Sequence, residues 1–277
     1  FEFPGNPELG QILAKTCNDH GVETLAHDAT TLAPEYGTLV PMRYMNADQH
    51  FKVLSVSALC TVHSLNDSAR LGWAMRKAVE EHYDGTVAFL ASGSLSHRFA
   101  QNGLAPEYAF KIWSPFLEAL DHEVVEIWKR GDWKTFCEML PEYASKGHGE
   151  GFMHDTAMLL GVLGWSAYDG KAEVVTPYFG ASGTGQINAI FPVTPQDGHA
   201  VPKAVASSAD GFWTRRMTSA PAYRSAVPTT VAPASVNAWS GIRAPAPAPA
   251  STRISHPAAV NLPSASGTRA TRRSPCA

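Results

Sequence analysis

Hydrophobic and polar positions follow a helical period in several stretches of the chain. Between Pro7 and His20, Leu9 and Leu13 fall on one face, and Asn6 is placed to cap the first turn. The same spacing predicts four more helices, from Asp67 or Ser68 to His82, from Ala119 to Lys129, from Trp133 to Met139 and from Met153 to Leu163. The sequence therefore predicts a domain in which helices carry much of the apolar surface.

Two apolar and β-branched runs have the character of buried strands. They are Phe51–Ala58 and Thr86–Leu90, and a predicted helix lies between them. Shorter strands are predicted at Val22–Leu25, Ala172–Thr176 and Gln186–Val193. The order strand, helix, strand is typical of α/β proteins with crossover helices. We therefore expect an α/β fold with a central, mainly parallel or mixed sheet flanked by helices.

The composition changes near residue 195. Residues 195–277 contain nine Lys and Arg against two Asp, no Glu follows Glu173, and Pro, Ala, Ser, Thr and Arg dominate, as in Ala244–Pro249. Such a segment lacks the periodic apolar residues that offset the entropy of ordering. We expect residues 1–194 to form the folded domain and 195–277 a disordered tail. The bias toward Arg over Lys favours a shifted reading frame over a nucleic-acid-binding tail.

Charge and cysteine content limit the classes of partner. The formal net charge is -3, which argues against a polyanionic partner such as nucleic acid. No apolar run approaches the roughly 18 residues that a membrane span needs, so no membrane association is expected. The four cysteines are widely spaced and form no C-x-x-C motif, which favours a reducing cytoplasm.

His97 is the first candidate for chemistry. It ends the segment L-A-S-G-S-L-S-H-R, residues 90–98, which continues the predicted strand through a Gly/Ser turn. An imidazole titrates near neutral pH, and a strand end would hold it rigidly as a general base. A surface histidine in a loop fits the spacing equally well. Ser94 or Ser96 with His97 could form a hydrolase dyad, but adjacent strand residues point to opposite faces, which disfavours it.

Two further segments offer groups for binding a substrate. His63 follows the Phe51–Ala58 strand, so it could face the same crevice as His97. The segment from Glu35 to Tyr44 predicts a turn leading into a structured element, and there Arg43 or Tyr44 could hold an anionic group. A structural histidine and an ordinary loop with a solvated arginine are the alternatives.

The segment Gly147–Asp155 is rich in glycine and carries two imidazoles and two carboxylates. Histidine and carboxylate side chains are metal ligands, so this loop could contribute to a metal site. Its spacing is not H-E-x-x-H, which excludes the zincin pattern. In the alternative interpretation Asp155 caps the following helix and the rest is a flexible loop.

Together these segments resemble one family, the class III extradiol ring-cleaving dioxygenases, which include the catalytic subunit of protocatechuate 4,5-dioxygenase. Within it the resemblance is to members that act on 3,4-dihydroxyphenylacetate. The similar segments are Asn6–Gln11, Glu35–Asn46, Cys60–His63, Leu90–Phe99, Met139–Ala144, Gly149–Gly161 and Ser182–Pro192. The similarity runs almost unbroken over residues 4 to 193.

The resemblance implies a mononuclear non-haem Fe(II) held by two histidines and one carboxylate, with a catechol and O2 as substrates. It implies that His97 is the acid/base and that Glu150, or as second choice Asp155, is the carboxylate ligand. His63, Arg43 and Tyr44 are the expected substrate-binding residues. The implied product is 5-carboxymethyl-2-hydroxymuconate semialdehyde, from a cytoplasmic enzyme of aromatic catabolism that is a homo-oligomer at full length.

Two departures from the family pattern qualify these expectations. The family's iron histidines lie in an N-terminal segment that nothing here matches, so we expect an N-terminally truncated chain that is inactive by itself. Family members also end soon after the strand at Phe191 and Pro192, which makes the tail foreign to the pattern. The competing interpretation is a catalytically dead remnant that cannot bind iron.

Overall fold

The structure, a computed structural model, describes residues 3–29, 33–57 and 60–193. These residues form six α-helices, four short strands and three 3-10 turns. The helices are α1 (Pro7–Asp19), α2 (Tyr36–Met45), α3 (Leu65–His82), α4 (Pro115–Arg130), α5 (Trp133–Lys146) and α6 (His154–Leu163). The strands are β1 (Glu173–Val174), β2 (Phe179–Ala181), β3 (Thr184–Gln186) and β4 (Ala189–Ile190), and the 3-10 turns are Pro106–Tyr108, Glu150–Met153 and Trp165–Ala167.

The predicted helices are confirmed, and their ends follow their caps. The Asn6 side chain accepts a hydrogen bond from the backbone N–H of Leu9 and so starts α1 as predicted. Helix α3 begins at Leu65, before the predicted start, because Ser64 and Asp67 form a reciprocal capping box. Helix α5 runs past the predicted Met139 and through Pro141, since the buried face of the helix continues.

The segment from Glu35 to Tyr44 differs from its prediction. It is already helical from Tyr36, where the sequence predicted a turn, and it keeps Pro41 inside the helix. Met42 is the buried residue of α2, and most of its other side chains are partly or fully exposed. The weak apolar periodicity of so exposed a helix explains why the pattern did not reveal it.

Helix α3 packs between α1 and α6, and glycines bring it close to α6. A β-carbon on Gly72 would overlap the carbonyl group of Met158, and one on Gly161 would overlap that of Ala69. On its other side, α3 buries Trp73 against Leu9 and Leu13 of α1. The larger core cluster joins α4, α5 and α6, and its fully buried members include Trp133, Phe136, Leu120, Ile127, Leu140, Tyr143 and Leu160.

The predicted central sheet is not confirmed. The described strands form two antiparallel pairs, β1 with β4 and β2 with β3. The strand predictions at Val22–Leu25 and Thr86–Leu90 are wrong, because these residues pair with no described strand. In Phe51–Ala58 the described part makes a single parallel bridge, from Val53 to Gly5. Apolar alternation alone does not make a strand, since the backbone also needs a hydrogen-bonded neighbour.

Several predictions concern properties that the described residues touch only in part. The predicted tail, 195–277, lies outside the described residues, as does Cys276. The three described cysteines, Cys17, Cys60 and Cys137, form no disulfide bond among the described residues. Within the described ranges, no helix combines the length and apolar character that crossing a membrane requires. The cytoplasmic location and the homo-oligomer stay predictions.

Candidate active site

His97 lies in a short extended segment that pairs with the Gly-rich loop before α6. The N–H of His97 donates to the carbonyl of His148 at 2.6 Å, and the N–H of Glu150 donates to the carbonyl of Leu95 at 3.2 Å. Ser96 and Gly149 form an antiparallel bridge between these bonds. The pairing places the His97 and Glu150 segments side by side although they are distant in sequence.

The same segment pairs with β3 along its other edge. The N–H of Leu95 donates to the carbonyl of Gly185, and the N–H of Gly185 donates to the carbonyl of Ser96, both at 2.9 Å. His97 also forms an antiparallel bridge with Thr184. His97 is therefore held by backbone pairing within a small antiparallel layer, and not at the end of the predicted Thr86–Leu90 strand.

Three groups meet at the Glu150 carboxylate. Nε2 of His97 lies 3.5 Å from Oε1 of Glu150, and the two side chains are 30% and 18% exposed. The hydroxyl of Tyr36 donates to the same oxygen at 2.8 Å. The backbone N–H of Ser94 donates to Oε2 at 2.5 Å. An imidazole, a phenol and a carboxylate thus lie within reach of one another, partly open to solvent, where they can exchange protons with a bound molecule.

Tyr36 is the residue of this group that the sequence did not predict. The sequence pointed to Arg43 and Tyr44, which lie on the same helix, α2, with exposed side chains. Tyr44 lies about 12 Å along the helix axis from Tyr36, at 1.5 Å per residue. The hydrogen bond to Glu150 and its negative charge raise the pKa of Tyr36. Substrate binding by Arg43 and Tyr44 stays a prediction.

His63 lies near the start of α3, beside His154. His154 is buried, and its Nδ1 is 2.8 Å from the hydroxyl oxygen of Ser68. Burial lowers the pKa of His154, and the positive charge of a protonated His63 lowers it further. His63 therefore lies close enough to His154 to affect the pKa of that imidazole. Its predicted role in substrate binding stays a prediction.

Asp155 lies under the Gly/Ser turn that leads to His97. A β-carbon at Gly93 would meet the Asp155 carboxylate, so only glycine fits there without a shift. Burial, and then the charge of Glu150, raise the pKa of Asp155 to about 6. The N-cap of α6 is Met153, so Asp155 lies inside the first turn, and the interpretation of Asp155 as the cap is wrong.

The backbone between Glu150 and α6 is strained. Gly151, Phe152 and Met153 have φ angles of 53°, 53° and 63°, and His148 also has a φ of 53°. Each non-glycine residue in this left-handed region costs about 1–2 kcal/mol. Strain of this kind tends to persist where the surrounding structure holds a functional group in place. Here it lies on both sides of Glu150.

The described residues supply only part of a donor set for iron. Among residues 3–29, 33–57 and 60–193 there is no group of three or more His, Cys, Asp or Glu that could hold a metal ion. His97 and Glu150 provide one imidazole and one carboxylate, whereas a 2-His-1-carboxylate site needs a second imidazole. These residues therefore do not fit a complete Fe(II) site.

A hydrolase dyad is not formed. The hydroxyl of Ser96 is buried and donates to Oδ2 of Asp121 at 2.7 Å. The hydroxyl oxygen of Ser94 accepts from the side-chain amide of Gln186 at 2.6 Å. Both serines are therefore engaged away from His97, whose ring faces Glu150.

Comparison with known protein families gives a match that covers all the segments that meet at Glu150. Residues 1–192 match the family model described as the catalytic LigB subunit of aromatic ring-opening dioxygenase. The chain belongs to the LigB family. The resemblance found in the sequence motifs is thereby confirmed, and the matched range includes Tyr36, His97 and Glu150.

A curated relative of this LigB-family chain is the 3,4-dihydroxyphenylacetate 2,3-dioxygenase of Escherichia coli. The two are 52% identical over 179 residues, which is 65% of this chain and 64% of the relative. The chain thus spans somewhat less than two thirds of the relative's length.

Proposed function

We propose that the protein serves in the extradiol cleavage of a catechol ring by O2. The proposed substrate is 3,4-dihydroxyphenylacetate, and the proposed product is 5-carboxymethyl-2-hydroxymuconate semialdehyde. Membership of the LigB family supports the reaction class, and the E. coli relative supports the substrate. Because the match covers 64% of that relative, the proposal concerns the activity of the complete enzyme.

One observation carries the proposal. Three segments that resemble the ring-cleaving family, distant in sequence, meet at the carboxylate of Glu150. They contribute the hydroxyl of Tyr36, the backbone N–H of Ser94 with the imidazole of His97, and Glu150 itself. Packing alone does not require an imidazole and a phenol beside one partly exposed carboxylate, because apolar side chains could fill the same space equally well.

Proton transfer is the chemistry that these side chains can perform. In the proposed reaction, Nε2 of His97 takes a proton from a catechol hydroxyl and later returns it to an oxygen of the opened ring. The Glu150 carboxylate, 3.5 Å away, stabilises the imidazolium that forms. Tyr36 donates a hydrogen bond to Glu150 and so fixes the orientation of that carboxylate.

The remaining roles are part of the same proposal. Glu150 is the proposed carboxylate ligand to Fe(II), with Asp155 as second choice. Arg43 and Tyr44 are proposed to bind the carboxylate of the substrate side chain, and His63 to contribute to substrate binding. Arginine suits this task because its planar guanidinium matches a carboxylate in two hydrogen bonds.

The test is an anaerobic loading with Fe(II), followed by addition of 3,4-dihydroxyphenylacetate and air. A yellow ring-opened semialdehyde is the expected product. Two proteins are assayed in parallel, residues 1–277 and a chimera that adds the part of the E. coli enzyme that the match leaves out. Absence of product from the folded, iron-loaded chimera would overturn the proposal.

A second candidate is a remnant that has lost iron binding. The incomplete donor set favours it, since the described residues bring one imidazole and one carboxylate together. The chimera separates the two candidates. If the remnant interpretation is right, the segments around His97 and Glu150 no longer support turnover even when the missing donors are supplied.

A further inference from the structure

Asp121 of α4 is a buried carboxylate at which four hydrogen bonds converge, and the proposed proton transfer does not use it. Its Oδ1 accepts from the N–H of Ser96 at 3.1 Å and from the hydroxyl of Tyr143 at 2.7 Å. Its Oδ2 accepts from the hydroxyls of Ser96 at 2.7 Å and Tyr178 at 2.5 Å. Four donors fill the acceptor positions of a carboxylate, and the side chain has no exposed surface.

Two of these bonds fix the residue next to His97. Ser96 is fully buried and gives both its backbone N–H and its hydroxyl to Asp121. A serine held at both groups cannot rotate, so the backbone is fixed at the residue that directly precedes His97. The carboxylate also lies against β3, where a β-carbon on Gly185 would overlap it.

Another bond reaches the loop that carries Glu150. Tyr143 is fully buried, and its carbonyl accepts from the N–H of Gly147 at 2.9 Å. Its ring lies against the same loop, since a β-carbon on Gly147 would come within 2.8 Å of it and one on Gly149 within 3.4 Å. The Tyr143 ring thus packs directly against the stretch of chain that leads into Glu150.

We propose that Asp121 is a positioning residue that sets the separation of His97 and Glu150, by holding Ser96 and Tyr143 on one carboxylate. Its catalytic consequence rests on the proposed function, whereas the geometric claim does not. A buried charge is a costly way to fill a core, and an apolar side chain of similar size would often be no less stable. A carboxylate differs in that it fixes the directions of its donors.

The first test measures geometry without activity. Imidazole ¹⁵N shifts of His97 are recorded at one pH in protein labelled at histidine, and His97→Gln identifies the signals. Glu150→Gln gives the shifts of a ring without its carboxylate. We expect Ser96→Ala and Tyr143→Phe to move the His97 shifts at least halfway toward that reference. Unchanged shifts in both folded variants would overturn the proposal.

Tyr168→Phe is the matched control. It also removes a tyrosine hydroxyl that donates a hydrogen bond, at 2.7 Å to the carbonyl of Pro192, outside the Asp121 group. We expect no movement of the His97 shifts in this variant. If Tyr168→Phe moves them as far as Tyr143→Phe does, general loosening of the core explains the effect and the proposal fails.

The second test measures turnover in the iron-loaded chimera with the E. coli part. Ser96→Ala and Tyr143→Phe should lower kcat by about tenfold or more, with KM changed less than twofold, because misplacement acts on the chemical step. Unchanged kcat together with moved His97 shifts would overturn the positioning role. If every protein including the unsubstituted one is inactive, the proposed function fails, and the shifts still decide the geometric claim.

Discussion

Glu150 is the residue at which the candidate site is assembled. It accepts hydrogen bonds from Tyr36 and from the N–H of Ser94, and it faces the imidazole of His97. Each partner lies at least 53 residues away, so one side chain joins segments that chain connectivity leaves apart. A substitution of Glu150 should therefore alter the contacts of all three partners.

The pKa of Tyr36 reports on the negative charge of the Glu150 carboxylate. Its pKa is raised because the charged Glu150 accepts its hydrogen bond and opposes the phenolate. In Glu150→Gln the charge is gone, so we predict that the pKa of Tyr36 falls toward the ordinary tyrosine value. Absorbance titration at high pH, compared with Tyr36→Phe to isolate the signal, measures it. An unaltered titration would show that the two side chains do not meet.

His97 is predicted to be the acid/base. In the iron-loaded chimera, His97→Ala should lower turnover about 100-fold or more, which is the usual contribution of such a group, and should leave iron content nearly unchanged. His50→Ala is the control, since His50 is an exposed histidine paired with Asp48. Turnover in His97→Ala that equals turnover in the control would contradict the assignment.

Asp155 gives a prediction about stability and pH. Its folded pKa is raised to about 6, chiefly by burial, so the folded state favours the protonated form. Stability is then greatest below the unfolded pKa and falls as pH rises toward 6, by up to about 3 kcal/mol at 1.36 kcal/mol per unit. In metal-free protein, Asp155→Asn should be more stable than the parent at pH 7 but not at pH 4. Urea unfolding at both pH values tests this, and an equal effect at the two would refute it.

The sequence allowed part of this site to be predicted. His97, Glu150 and Asp155 stand in motifs whose residue types already suggest chemistry. Tyr36 carries no such signal, because its role comes from a contact across 114 residues that no local pattern encodes. Asp121 carries no local signal either, since an acidic residue in a helix usually faces solvent.

At the scale of elements, five of the six helices were predictable, and so were the short strands within Ala172–Thr176 and Gln186–Val193. Helix α2 was not predicted, and the expected central sheet is not confirmed. Caps at Asn6 and Ser64 are local signals, and the helices form where those signals lie. Strand formation depends on partners elsewhere in the chain. The run Thr86–Leu90 has the apolar character of a strand, yet no described strand pairs with it. The order of apolar residues reveals a preference for extended structure, but not the neighbour that would complete it.

The close contact of α3 with α6 gives a prediction at this scale. A β-carbon on Gly161 would overlap the carbonyl of Ala69, and backbone cannot move aside as a flexible side chain can. We predict that Gly161→Ala lowers the free energy of unfolding by about 3 kcal/mol or more. Because α6 directly follows the loop that carries Glu150, we also expect the position of Glu150 to become less well defined in this variant.

Gly10→Ala in α1 is the matched control. Its β-carbon would lie 3.4 Å from a methyl group of Leu54, an ordinary contact. Alanine is the better helix former by about 1 kcal/mol, so this variant should be neutral or slightly more stable. Urea unfolding of both proteins compares them. Similar effects of the two substitutions would show that the approach of α3 and α6 does not depend on glycine.

At the scale of the whole molecule, the site packs against the core that the helices form. The cluster of α4, α5 and α6 contains Tyr143 and supports the Glu150 loop. The small antiparallel layer formed by residues 95–97, the loop that carries Glu150 and β3 contains His97. The described residues thus supply the side chains for the proposed proton transfer and the core that supports them. They do not supply a complete set of ligands for Fe(II).

That incompleteness leads to the last prediction. One imidazole and one carboxylate do not make the three-donor site that holds Fe(II) in a 2-His-1-carboxylate centre. We predict that residues 1–277 alone bind Fe(II) with less than one equivalent in anaerobic calorimetry and form no semialdehyde. The chimera with the E. coli part should bind one equivalent, and Glu150→Ala should remove it, whereas Asp155→Ala should not. If residues 1–277 alone bind one equivalent and open the ring, then further ligands come from residues that the structure does not describe, and the two-donor account of this chain is wrong.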